Sequence, residues 1–211
     1  MGPDLGVIFD SNDFSEPEDR DLQGPSWSGG GNLAIDADNT VLDKLLIIQE
    51  DGFDDGGVIS TDPDDEGSRP AGSIYFDFNT AIDSFGFDLV DVEGPTEFGH
   101  DSGYSAAFFD MNGVELARVG FGDFITNGDP FFDSTVGFGD NSANRISPIT
   151  AAALGVNPFS RVEINLGGSA AVDNITYTVA VPLPSAAFAG FGLLGGLGGV
   201  SRWQKRRLAA A

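Results

Sequence analysis

From Leu183 to Ser201 the chain carries no charge, and Arg202, Lys205, Arg206 and Arg207 follow at once. A run of about 19 uncharged residues is close to the shortest helix that can cross a bilayer core. A basic cluster at its end stays cytoplasmic by the positive-inside tendency, which places everything before the run on the far side. The chain is thereby predicted to divide into a body, residues 1–180, and a tail, residues 181–211, built on a single C-terminal transmembrane helix. Six glycines in the run (Gly190, Gly192, Gly195, Gly196, Gly198 and Gly199) lower both its hydrophobicity and its helix propensity. A permanent anchor would be richer in leucine, so this composition favours a span that is held briefly and then cut.

Val181, Pro182, Leu183 and Pro184 open the tail, and Ser185 comes next. A Pro-containing tetrapeptide, an apolar span and a terminal Arg-rich cluster, in that order, resemble the C-terminal sorting signals of the PEP-CTERM type. The VPLPA-CTERM variety of Gram-negative bacteria is the nearest likeness. It covers about 30 of the 211 residues and departs at Ser185, which stands where the family has Ala. The resemblance implies that an exosortase, a membrane-embedded transpeptidase-like cysteine enzyme, cuts near the motif and passes the body to the envelope or exterior. The implied partners are the exosortase and the inner membrane, the latter only transiently. An uncut C-terminal anchor is the plainer alternative. Export needs a leader; Met1 to Asp10 has no basic n-region and no apolar h-region, so the leader is expected upstream of Met1.

The chain has 33 acidic and 10 basic residues, net charge -23. Four of the ten basic residues lie in the tail and none of the acidic ones does, which leaves the body at -27 with six arginines and lysines. Such a body lacks the basic stripe that nucleic acid requires, and nucleic acid is excluded as a partner. It attracts divalent cations instead. With no cysteine, a disulfide framework and a thiolate metal site are both excluded. Thirty glycines and eighteen phenylalanines point to short strands, tight turns and an aromatic core.

Hydrophobic alternation predicts strands at Gly6 to Asp10, Ser73 to Phe78, Ala81 to Val92, Arg161 to Leu166 and Ala171 to Ala180. In the middle pair, Ile74, Phe76, Phe78, Phe85, Phe87 and Leu89 give one core face and leave the other wet. Leu45 to Gln49 is a continuous apolar run, as in a strand buried on both sides. Ser105 to Met111 and Val114 to Gly120 flank Asn112-Gly113, predicting a hairpin with a type I′ turn. Pro148 to Leu154 is read as one helical turn. The fold class is all-β, an antiparallel sandwich of eight to ten strands. Phe9-Asp10-Ser11, an Asp-rich loop and Leu46-Ile-Ile-Gln-Glu-Asp51 resemble β-sandwich ectodomains of PEP-CTERM and related surface proteins, which implies a jelly-roll-like fold.

Calcium takes six to eight oxygen ligands, and clustered carboxylates among glycines supply them. Asp51, Asp54, Asp55, Asp62, Asp64 and Asp65 are therefore the candidate ligands of a structural Ca2+, with Asp10, Asp36, Asp38 and Asp173 behind them. An EF-hand is excluded, because the twelfth position from Asp62 is Ser73. A solvated acidic surface is the alternative. Catalysis has weak support: His100 is the only histidine, and its neighbours Asp101 and Ser102 are sequential where a triad is spatial. Trp27, Tyr104, Phe131 and Phe132 are candidates for stacking on sugar rings. Asn174-Ile-Thr176 fits a glycosylation acceptor but lies within a predicted strand, and is discounted. The body is expected to be a non-enzymatic envelope or matrix domain in adhesion, matrix or glycan contact. The alternative is a secreted carbohydrate-binding module or glycoside-active enzyme.

Overall fold

The computed structural model describes residues 6–10, 22, 28–33, 42, 44–49, 69–93 and 103–181. It is an all-β fold with eight strands and two short helices among these residues. They are β1 (Gly6–Asp10), β2 (Lys44–Ile48), β3 (Gly72–Val90), β4 (Ser105–Phe109), β5 (Glu115–Gly120), α1 (Phe121–Ile125), β6 (Ala143–Thr150), α2 (Ala151–Leu154), β7 (Phe159–Leu166) and β8 (Ala171–Val179). The strands run in the order β1-β2-β8-β3-β7-β4-β5, with β6 also on β3, and every pairing between them is antiparallel.

The organising element is β3, 19 residues long. Two strands expected from sequence are one: Asn79 and Thr80 between them include neither Gly nor Pro, so the backbone bends without breaking. Gly72 to Asp77 pair with β7, whereas Ile82 to Val90 pair with β8 and Ser84 to Val90 with β6. The two halves face each other. The Phe76 and Phe85 ring centroids are 5.3 Å apart, although nine residues of straight strand would separate them by roughly 30 Å. A strand that bends from one sheet into another is how sandwich corners are made. Rings then continue from Phe85 to Phe87 at 5.8 Å, Phe87 to Phe121 at 6.3 Å and Phe121 to Phe138 at 6.0 Å. Among the described residues, ten phenylalanines belong to this one core or pack against it.

The expected wet face holds only in the first half of β3, where Tyr75 and Asp77 are exposed. From Ser84 to Val90 every residue is buried. A second apolar cluster covers that end: Val90 packs with Leu22, Leu33, Leu42, Leu45, Ile47, Ala143 and Ala171. Residues from the acidic N-terminal region close the sheet at Val90, which a strand-by-strand reading of β3 does not reveal.

The hairpin β4–β5 falls where Asn112-Gly113 placed it, but its turn is not type I′. That type needs positive φ at both central residues, and here only Gly113 (φ 75°) has it. Gly113 N–H donates to Asp110 O at 3.0 Å, and Asp110 N–H to Val114 O at 2.9 Å. The cause is Asp110, whose Oδ1 accepts from the N–H groups of Val114 (2.9 Å) and Asn112 (2.8 Å). These bonds, Val114's foremost, hold its carboxyl below the usual carboxylate range. Asn-Gly therefore sits one step later, and the ladder slips between Phe108 and Phe109. α2 is the single helical turn expected, with Thr150 Oγ1 accepting from Ala153 N–H at its start.

The chain divides into a unit Met1–Val179 and a unit Ala180–Ala211. Among the described residues no helix is long and apolar enough to cross a membrane; the run 183–201 lies outside them.

Candidate functional site

Strands β6, β3 and β8 lie side by side, and their outer face carries a polar trough. Gly86 of β3 lies against two of its lining residues, Thr176 and Pro148. A Cβ at Gly86 would stand 2.8 Å from Thr176 Oγ1 on β8 and 3.1 Å from Pro148 Cγ on β6. Only glycine lets those two side chains close over the strand, and it is opposite Gly86 that the β3–β6 register shifts. Gly86→Ala is expected to cost about 1–3 kcal/mol by overpacking, read as a lower urea midpoint. Adding Thr176→Ala should return part of it; no loss in the single variant would mean the walls are not closed.

One step along β3 is Asp88. Its side chain is 1% exposed, yet it meets the 57% exposed Arg145 of β6. Arg145 Nε donates to Asp88 Oδ1 at 2.9 Å and Nη2 to Oδ2 at 2.8 Å, a bidentate pair. Asn174 Nδ2 adds a third bond to Oδ2 at 2.9 Å. Asn174 takes a left-handed conformation (φ 47°) within β8. The Asp88 hydrogen bonds, helped by the charges of Asp88 and Asp173, raise the Arg145 pKa above its ordinary value. Arg145 Nη1 makes no hydrogen bond among the described residues. Phe87, Asp88, Arg145, Ile146, Ser147, Pro148, Asn174 and Thr176 enclose about 420 Å³.

Arg145 is held from the other side too. Its N–H donates to Asn32 Oδ1 at 2.6 Å, and Asn32 Nδ2 donates to Arg145 O at 2.9 Å. The Asn32 amide stands in for a peptide group of a neighbouring strand, capping the edge of β6 at this point. Exposed edges invite pairing with other chains, and such covering is how folds prevent it.

A second hollow of about 270 Å³ adjoins the trough, sharing Ile146, Ser147 and Pro148. Phe124, Phe131, Phe132, Pro130 and Asp133 form its far wall. Phe132 is 38% exposed, while Phe131 is packed partly into the core. Asp133 Oδ1 accepts from Thr135 Oγ1 (2.6 Å) and Thr135 N–H (2.8 Å), which holds its carboxyl below the usual range. The site therefore combines a half-exposed ring with hydroxyl, amide and guanidinium groups, flanked by one compensated and one bare carboxylate.

Of the residues singled out by sequence, Phe131 and Phe132 line this site. Tyr104 does not: it is buried 5.8 Å from the Phe121 ring, and stacking on a ligand is excluded. Trp27, the six candidate calcium ligands, Asp36, Asp38, His100, Asp101 and Ser102 lie outside the described residues. So do Pro182, Leu183, Pro184 and the basic cluster. Asp10 ends β1 opposite Lys44, and Asp173 is in β8, with β2 between the two strands. Among the described residues no three His, Cys, Asp or Glu side chains gather as a metal site would need. Asp88 went unread because alternation placed it on a wet face. One signal could have found it: in a body with 33 acidic and six basic residues, each arginine is expected to meet a carboxylate. Arg69, Arg118, Arg145 and Arg161 each hold a carboxylate. Compared with protein-family models, curated proteins and solved structures, the chain matches none of them.

Proposed function

We propose that this chain is an exported, non-enzymatic protein of the cell envelope or extracellular matrix, sorted through its C-terminal signal by an exosortase. The observation that carries the reading is a unit boundary at the motif: the first unit ends at Val179, and Val181, first residue of the tetrapeptide, is 82% exposed. A processing enzyme needs extended, accessible backbone at its cut site. The apolar run and the basic cluster then supply transient anchorage in the inner membrane. The body is read as jelly-roll-like, and calcium on its 51–72 loop belongs to the same reading. Changing Pro182 and Pro184 together to Ala should leave full-length protein in the inner membrane. Intact mass after fractionation checks this, and unchanged release would refute the sorting role.

A second reading, a secreted carbohydrate-binding module, is favoured by the aromatic hollow beside the polar trough. Apolar ring and hydrogen-bonding groups on opposite sides of a cleft match the two kinds of surface a sugar ring offers.

A further inference from the structure

We propose that the trough and the hollow are two halves of one site for neutral oligosaccharides, straddling the Ser147-Pro148 ridge of β6. The proposal rests on the carbohydrate reading above and names the chemical class it takes. Their volumes, about 270 and 420 Å³, are on the scale of ligand clefts, about 300–1,000 Å³. A ridge between two hollows suits a chain of linked rings better than a single compact molecule.

Each side offers one kind of contact. In the hollow, the half-exposed Phe132 presents a ring to the C–H face of a sugar, with Pro130 and Pro148 continuing the apolar wall. In the trough, Arg145 Nη1, Asn174 Oδ1, Thr176 Oγ1 and Ser147 Oγ are free for hydroxyls, each without a hydrogen bond among the described residues. The Arg145 guanidinium is fixed by its bidentate bond to Asp88, so little side-chain freedom is lost when a ligand binds.

Charge selects against acidic glycans. The one cation here is already compensated by Asp88, and Asp173 lies near it. Asp133 flanks the other half, held ionised by Thr135. Around them is a body of net charge -27. A uronate or sulfate would enter against that field and find no cation among the site's described residues that is not already paired with a carboxylate. A hydroxyl meets no such barrier.

The test uses the full chain in a detergent without a sugar headgroup. It is applied to an array of gluco-, manno-, galacto- and xylo-oligosaccharides beside galacturonate, alginate and sulfated glycans. Binding is expected on neutral glycans alone. Phe132→Ala and Thr176→Val, both exposed positions with no expected change in melting temperature, should each weaken it by about tenfold. Tyr75→Ala, an exposed aromatic on the other half of β3, should leave it intact. Tighter binding to acidic glycans would overturn the neutral class while leaving the carbohydrate reading. Binding indifferent to Phe132→Ala and Thr176→Val would overturn the site. No binding to any glycan on the array would overturn both.

Discussion

Phe85→Ala should destabilise the body by about 3–5 kcal/mol, the cost of emptying a large aromatic from a closed core. Total stability of such domains is about 5–15 kcal/mol, so this one change removes a large part of it. The melting temperature is expected to fall by roughly 10 °C for a unit of this size. Phe85 is fully buried, within 5.3 Å of Phe76, 5.8 Å of Phe87 and 6.1 Å of Phe78. A sharper measurement tests the bend in β3 itself. A double-mutant cycle between Phe76 and Phe85 should give a coupling of about 0.5–1.5 kcal/mol. Residues nine positions apart in a straight strand cannot couple, so a coupling of zero would mean that β3 does not fold back on itself.

Arg145→Met should cost about 2–3 kcal/mol in urea unfolding. Removing one partner of a fully buried pair costs about 3–5 kcal/mol, because a desolvated charge is left behind. Here the figure is set lower, since the arginine side of the pair is in contact with water, which screens it. Among the described residues, Asp88 would keep only its bond from Asn174. The loss should come from the stranded carboxylate and not from packing, so Arg145→Met with Asp88→Asn should recover more than half of it. A double variant as weak as the single one would assign the effect to lost contacts of the arginine stem instead.

Elements with strong local patterns were legible in the sequence. β1, β7 and β8 lie within two residues of their alternating runs, and the continuous run at Leu45 gave β2. The helical turn at Ala151 and the position of the hairpin were also readable. What escaped were features set by distant residues. β6 carries Pro148, which argues against a strand; it survives because β6 is an edge and the proline sits where its register with β3 shifts. α1 is five residues long with a glycine inside, below any periodic signal. The covering of Val90 depends on Leu22, Leu33 and Leu42, up to 68 positions away. The candidate site suffers most from this. Its walls and charge pair come from three strands that meet only after β3 has bent.

The bonds that close the β4–β5 turn also bear on how the protein ages. In an Asn-Gly pair the glycine nitrogen can attack the asparagine side-chain carbonyl and expel ammonia, and water then opens the resulting ring to aspartate or isoaspartate. At Asn112-Gly113 both reacting groups are held: Gly113 N–H donates to Asp110 O, and Asn112 Nδ2 donates to Asp110 Oδ2 at 3.2 Å. The other such pair, Asn127-Gly128, is exposed, and neither group has a hydrogen bond among the described residues. Peptide mapping of protein stored in neutral buffer should therefore find aspartate at 127 well before 112, and equal rates would show the Asp110 bonds to be no shield. One asparagine thereby records elapsed time while the other keeps the hairpin as it was made.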